Sequence, residues 1–411
     1  MTPFLQLVFV LAVILFTAKL GGYLTTLIGQ PSVLGELIVG LILGPSLLDI
    51  THLPFLADTH LSEVITEIGE LGVLLLMFIA GLELHLSEMA RSARVSALAG
   101  TLGVVVPVGL GVLIGRMVGV SMDNAIFLGL TMGATSVSIS AQTLMEMRVL
   151  RSRVGLGLLG AAVFDDVLVI LMLSGFLALQ SGGSGAEILL VLVRMLAFFA
   201  FSVAFGLFVL PALSRRVRKL PISQGLLAFS LVILLVYGLL AEVVGGMAAI
   251  TGTFVAGLMF SRTPEKAQIQ EGMNALAYGL LVPIFFVNIG LTVNLRTLES
   301  SAFVLMVLVI IGAILGKILG CGLGAKVSGF SYLESLQLGI GMVSRGEVGL
   351  IVGSAGLASG LLSANAFSAV ISMVLVTTLV TPPLLRWSFQ LQARTAAGVQ
   401  PANPAPGIDE D

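Results

Sequence analysis

Of the chain's 411 residues, 57% are hydrophobic and only 10% charged, with a formal net charge of −2 and a mean hydropathy of +1.11. The charged fraction is roughly half that of soluble globular proteins, and apolar runs of about 20 residues recur along nearly the whole length. A soluble enzyme and a nucleic-acid-binding module are therefore excluded, leaving an all-α polytopic membrane protein set in the lipid bilayer.

The first apolar run, Phe4 to Leu20, lacks a basic region before it and a small-residue cleavage site after it, so it is expected to be a span and not a removed signal peptide. About 13 spans are predicted, near residues 4–28, 33–50, 64–84, 94–119, 124–147, 153–180, 186–214, 222–240, 244–261, 275–295, 301–325, 332–361 and 365–386. They make residues 1–386 one transmembrane domain. Residues 387–411, rich in Ala, Pro and Gly from Gln390 onward and ending in Asp-Glu-Asp, hold too little apolar surface to fold and are expected to form a disordered cytoplasmic tail. With the N-terminus outside, 15 lysines and arginines of the loops, span ends and tail fall on the inner side, against only Arg116 and Arg296 on the outer. The positive-inside rule thus predicts N-out and C-in in the plasma membrane. The lone Cys321 excludes an internal disulfide and a cysteine metal cluster, and reads as a packing residue between glycines.

The chain also resembles itself. At an offset of about 210, Gly81 falls on Gly290, Leu128-Gly129 on Leu338-Gly339, and Gly40 on Gly257, in the same order along the chain. Spans 1–6 and 8–13 are then repeats, and the single span 7 between them turns the second copy over, giving the inverted-topology repeat of secondary transporters. Such folds place a site near the midplane, at interrupted helices. Span 5 carries a polar, small-residue stretch from Thr131 to Ser140, and its mate, span 12, carries Gly339, Gly341, Ser344, Arg345, Gly346, Glu347 and Gly349. Both are expected to be broken and to cross.

Asp165 and Asp166 stand side by side within span 6, where every other residue from Val154 to Leu179 is apolar, glycine or serine. A charge at the centre of a spanning helix costs about 2.5 to 3.5 kcal/mol on insertion scales, so the pair needs a cavity, a counter-ion or a cation, and an ion or proton path is the default reading. Lys317 lies about sixteen residues into span 11, too deep for a loop lysine; either aspartate could partner it, the alternative being that it snorkels to the inner interface. Arg345 and Glu347 either compensate the half-helix dipoles where the broken helices cross or form a structural ion pair. Glu63, Glu67 and Glu70 share a face at the outer end of span 3, and Glu36, Glu83 and Glu242 lie near other span ends, where solvated or interfacial positions are expected.

The succession GELIVGLILGPSLL (Gly35 to Leu48), LGVLLLMFIAGLEL (Leu71 to Leu84), GATSVSISAQTL (Gly133 to Leu144), FDD (Phe164 to Asp166), IFFVNIGL (Ile284 to Leu291), the span with Lys317, and SRGEVGL (Ser344 to Leu350) resembles the bacterial monovalent cation:proton antiporters of the second cation:proton antiporter family. It is most similar to their NapA-type sodium/proton branch; potassium-efflux sequences typically have Gln-Asp in place of Asp165-Asp166. The resemblance implies a sodium/proton antiporter fold and a homodimer, with scaffold spans in residues 1–93 and 222–296, a linker span at 186–214, and core spans at 94–180 and 301–386 that move as an elevator. It further implies that Asp166 is the principal ligand of the transported ion, that Asp165 pairs with Lys317, and that Thr135 and Ser136 in the broken span complete the coordination. No cofactor is implied, only transported Na+ (or Li+, K+) and H+. A hard monovalent cation wants the oxygen ligands that carboxylates, hydroxyls and free carbonyls supply.

Exchange then follows from competition for the same oxygens. If Asp165 and Lys317 together release a second proton when the cation binds, one net charge moves per cycle. The rival readings are a potassium/proton antiporter of the same fold and a sodium-coupled solute symporter; a cation channel is disfavoured because buried aspartates with a buried lysine bind too tightly to conduct.

Overall fold

The computed structural model describes residues 2–54, 56, 60–181, 185–294, 296, 303–346, 349, 352–353, 356–357 and 360–397. In chain order these form α1 (Pro3–Leu27), α2 (Ser32–Leu43), α3 (Leu61–Glu83), α4 (Leu86–Arg91), α5 (Ala93–Met117), α6 (Met122–Gly133), α7 (Val137–Glu146), α8 (Arg153–Ser181), α9 (Gly185–Phe208), α10 (Leu210–Val217), α11 (Gly225–Val243), α12 (Ala249–Phe260), α13 (Lys266–Leu276), α14 (Val282–Leu291), α15 (Phe303–Val327), α16 (Tyr332–Gly341) and α17 (Ala364–Ala397). A π-helical turn, Ala277–Leu281, joins α13 to α14. Ten spans among the described residues are long and apolar enough to cross a membrane, and α2 and α12 are shorter apolar helices.

Several boundaries differ from those read in the sequence, the helix of the second span ending at Leu43 in place of residue 50 and that of the ninth starting at Ala249 in place of residue 244. The tenth span begins at Lys266, because the polar segment KAQIQEGMN is helical although it falls outside the apolar window. The last helix continues to Ala397, so residues 387–397, assigned by composition to a disordered tail, extend α17. Leu, Gln, Arg and Ala there are strong helix formers, and adding them to an existing helix needs no new nucleus. Residues 398–411 lie outside the described residues.

The inverted repeat is visible in the packing. α1 lies on α2 as α11 lies on α12; α2 packs on α14 as α12 packs on α3; α5 contacts α6 and α8 as α15 contacts α16 and α17. The glycines matched in sequence make the same contact twice. A Cβ on Gly40 or Gly290 would collide with the facing backbone of α14 or α2, and one on Gly81 or Gly257 with that of α12 or α3. The punctuation repeats as well. Gly119 and Gly329, at φ of 83° and 87°, end α5 and α15 in the left-handed region that favours glycine. Two residues later Ser121 and Ser331 cap α6 and α16.

Helices α5–α8 and α15–α17 form one group, which contains both broken helices; α1–α3 and α11–α14 form a flanking group. At the end of the bundle carrying Val33, Leu82, Leu144 and Leu158, one apolar cluster runs through both groups. At the opposite end, among the described residues, the cluster of α5, α6, α15 and α17 is separate from that of α1, α3 and α14. The two groups thus share one continuous cluster at the first end, whereas at the other a small cluster in which α8 meets α9 and α11 joins them.

Candidate ion-binding site

The site is built on the crossing of the two broken helices. α6 stops at Gly133 and α7 starts at Val137, with Ala134 and Ser136 in extended backbone between them. α16 stops at Gly341, and residues 342–346 continue without helical structure. The freed backbone groups satisfy one another. Ser136 N–H donates to the Ser344 carbonyl at 2.9 Å, and the Ser344 hydroxyl donates to the Ser136 carbonyl at 2.6 Å. The Ser140 hydroxyl donates to the Gly341 carbonyl. Small residues are required for this approach, since a Cβ on Gly346 would run into the Ser136 side chain.

On the side of α8 that faces into its own group, Lys317 Nζ donates to Asp165 Oδ1 at 2.7 Å, and both side chains are wholly buried. The lysine therefore does not snorkel. It fits because α5 and α15 meet through small residues: a Cβ on Gly103 would collide with Cys321 Sγ and lie 3.7 Å from Nζ. Thr135 and Arg345 are the other polar groups facing Asp165. The buried Arg345 donates from Nη1 to the Met342 carbonyl at 3.2 Å and from Nη2 to the Ala313 carbonyl at 3.3 Å. Met342 caps the C-terminus of α16, so the guanidinium sits where the half-helix dipole is negative. Glu347, its alternative partner, lies outside the described residues.

Asp166, one position on, points to the other side of α8. Its Oδ2 accepts a hydrogen bond at 2.9 Å from the hydroxyl of Thr251 on α12, a helix of the flanking group. The half-buried carboxylate lines a small cavity with Met77, Val137, Leu159 and Phe254, on the seam between the two groups. Thr135 is brought to Asp165, and Val137, the first residue of α7, to Asp166. The Ser136 hydroxyl lies 3.0 Å from that of Ser138, at the helix crossing.

Sequence reasoning did not single out Thr251. A threonine in an apolar helix ordinarily bonds its own backbone, as Thr253 does to the Ile250 carbonyl at 3.0 Å, and nothing in the local pattern separates the two. It also passed over Glu146, at the end of α7, whose carboxylate accepts from Ser32 N–H at 2.6 Å, the Ser32 hydroxyl at 2.7 Å and Gln142 at 2.9 Å, and so ties the groups together at the end where they share one cluster. Glu36, expected to be solvated or interfacial, is buried with Lys19 3.8 Å away, because Gly21 and Gly35 draw α1 and α2 into backbone contact.

The chain has relatives among known proteins. Residues 12–390 match the family model of the transmembrane sodium/hydrogen exchangers. The chain is 38% identical over 381 residues to the Na(+)/H(+)-K(+) antiporter GerN of Bacillus cereus, covering 93% of this chain and 96% of that one. Over 385 residues it is 34% identical to a Na(+)/H(+) antiporter of Enterococcus hirae, covering 93% and 98% of the two chains. The solved structure of the sodium proton antiporter MjNhaP1 from Methanocaldococcus jannaschii shares the fold, with a TM-score of 0.68 over 96% of this chain and 99% of that one at 18% identity.

Proposed function

The chain belongs to the transmembrane sodium/hydrogen exchanger family, and from that premise we propose that it exchanges sodium or lithium for protons across the plasma membrane by an elevator-type alternating-access mechanism. The position of Asp166 supports this reading. It is the carboxylate on the seam between a group of helices holding two broken spans and the group flanking it, one residue from a carboxylate already paired with a lysine. In the proposal the broken-helix group is the moving core, residues 94–180 and 301–386. The flanking group is the scaffold, residues 1–93 and 222–296, through which two copies dimerise, and residues 186–214 link the two.

Asp166 is the exchange site. A proton neutralises it in one facing state and the cation displaces that proton in the other, so an empty charged site need not cross the membrane. Thr135 faces the neighbouring Asp165 from the broken span, and Arg345 and the helix crossing hold the half-helix ends in register. With a second proton handled by the Asp165–Lys317 pair, two protons enter per cation expelled and one net charge moves inward. A potential of about 100 mV then adds about 2.3 kcal/mol, or roughly a fifty-fold gradient. The orientation is N-out and C-in, on the distribution of Lys and Arg.

The test is dequenching of a pH dye in proteoliposomes on addition of each alkali cation, without organic solute. Sodium and lithium are expected to drive proton flux, and Asp166→Asn to abolish it. Flux that requires a solute would return the symporter reading, and cation-driven flux in the Asp166→Asn protein would remove Asp166 from its role. A second reading, potassium in place of sodium, draws support from the name of the Bacillus cereus relative, which includes K(+); dequenching by potassium alone would select it.

A further inference from the structure

We propose that Thr251 gives the ion site its sidedness: it is a positioning residue on the scaffold that holds Asp166 in the facing state seen here and is left behind when the core moves. The inference rests on the reading of Asp166 as the exchange site. The bond from Thr251 Oγ1 to Asp166 Oδ2, 2.9 Å long, joins a helix of the scaffold to the helix that bears the site. The contrast with Thr253 is direct. Two residues further along the same helix, an identical side chain satisfies its hydroxyl on the Ile250 carbonyl, whereas that of Thr251 crosses the seam. Thr251 is also 97% buried, with the apolar Met77, Leu159 and Phe254 beside it, so its hydroxyl is set in an otherwise hydrophobic wall.

A hydroxyl donating to a carboxylate favours its ionised form, the form that receives a cation, and once the cation arrives the same oxygen offers it a lone pair. Both effects favour cation over proton. Lys317, Thr135 and Arg345 belong to the moving group and travel with Asp165, so they act alike in both facing states. Thr251 does not travel. Its contribution is confined to the state in which α12 and α8 stand as they do here, with the two groups sharing one cluster at the end holding Glu146 and Ser32 and, at the opposite end, the cluster of α5, α6, α15 and α17 standing apart from that of α1, α3 and α14 while α8 still meets α11. Under the N-out orientation the end with the shared cluster is cytoplasmic, so this is the outward-facing state. Thr251 therefore strengthens cation binding from the outer face alone.

The experiment measures the half-saturating sodium concentration at each face separately, in proteoliposomes whose protein orientation has been fixed by selective inactivation of one population. Thr251→Val keeps the shape and removes the hydroxyl. It is expected to raise the half-saturating concentration at the outer face about tenfold, the lower end of what a hydrogen bond to a charged group contributes, without raising it at the inner face. Thr251→Ser, which restores the hydroxyl, should recover most of the loss, and Thr251→Ala serves if the valine protein does not fold. An equal loss at both faces, a loss at the inner face only, no change at either, or failure of serine to rescue would each overturn the proposal. Asp166→Asn is run beside them: if it still exchanges, the functional reading falls and this inference with it, whereas an inactive Asp166→Asn with symmetric Thr251 effects overturns the inference alone.

Discussion

Asp165 and Asp166 are neighbours in sequence and occupy different regions of the molecule. Successive residues of an α-helix point about 100° apart, and here that rotation separates the interior of one helix group from the seam between two. Asp165 is wholly buried and paired with a lysine that is also wholly buried. Asp166 is half-buried beside a cavity, bonded to a hydroxyl from the other group. The first arrangement suits a charge that must be held in place, because a buried pair is destabilised severely when one partner is lost. The second suits a charge that must be offered to something else. Adjacent carboxylates can thus have opposite tasks without any difference in residue type.

The comparison is tested most strongly from the Asp165 side. Lys317→Gln strands a buried carboxylate and is expected to lower stability by about 3 to 5 kcal/mol, read as thermal unfolding of the purified protein in detergent. The same preparation, reconstituted, tests the proposed stoichiometry: exchange that survives should no longer respond to an imposed potential. A stable and fully electrogenic variant would show that the pair is neither structural anchor nor proton carrier. Ser344→Ala comes next. It removes the donor to the Ser136 carbonyl at the crossing and leaves a buried acceptor unpaired, for a loss of about 1 to 3 kcal/mol. No loss would mean that the Ser136 N–H and Ser140 hydroxyl bonds suffice to hold the crossing.

How far this was legible in the sequence depends on whether a signal is local. The two breaks were visible because Thr135, Ser136, Ser344 and Gly346 are polar or small where an uninterrupted apolar helix would carry larger side chains. The repeat was visible because Gly40, Gly81, Gly257 and Gly290 each admit a facing backbone that no side chain allows. Which aspartate meets Lys317 was not readable from spacing, since a single residue step selects the face and only the family resemblance pointed to Asp165. Thr251 and Glu146 were illegible for the same reason: their partners, Asp166 and Ser32, are distant in the chain. The helical continuation to Ala397 escaped a hydropathy reading because propensity, and not apolar burial, extends it.

Smaller effects sharpen the contrast further. Asp165→Asn combined with Lys317→Gln removes both charges together, so no carboxylate is stranded, and the double variant should recover most of the stability lost in Lys317→Gln. The coupling between the two substitutions, read from a double-mutant cycle of unfolding temperatures, is expected to exceed about 1.5 kcal/mol, whereas the Asp166→Asn change should add independently to either. Coupling of Asp166 to Lys317 as large as that of Asp165 would merge the two carboxylates into one titrating unit and remove the division drawn here.

The smallest expected effect on stability belongs to the variant with the largest expected effect on transport. In Asp166→Asn the amide oxygen still accepts from Thr251, the side-chain volume is kept, and a charge that is costly inside a membrane is removed. The change in unfolding free energy should therefore stay within about 1 kcal/mol, and in the stabilising direction if desolvation of the carboxylate outweighs the stronger charged hydrogen bond. Cation protection gives the second half of the measurement. Saturating sodium raises the unfolding temperature of any protein that binds it only when folded, by an amount that grows with the ratio of ligand concentration to Kd. The parent protein should show this shift and Asp166→Asn should lose it, while Lys317→Gln, though less stable, should keep it. If Asp166→Asn unfolds as readily as Lys317→Gln and still gains stability from sodium, the seam carboxylate is a structural anchor and the interior one is the site.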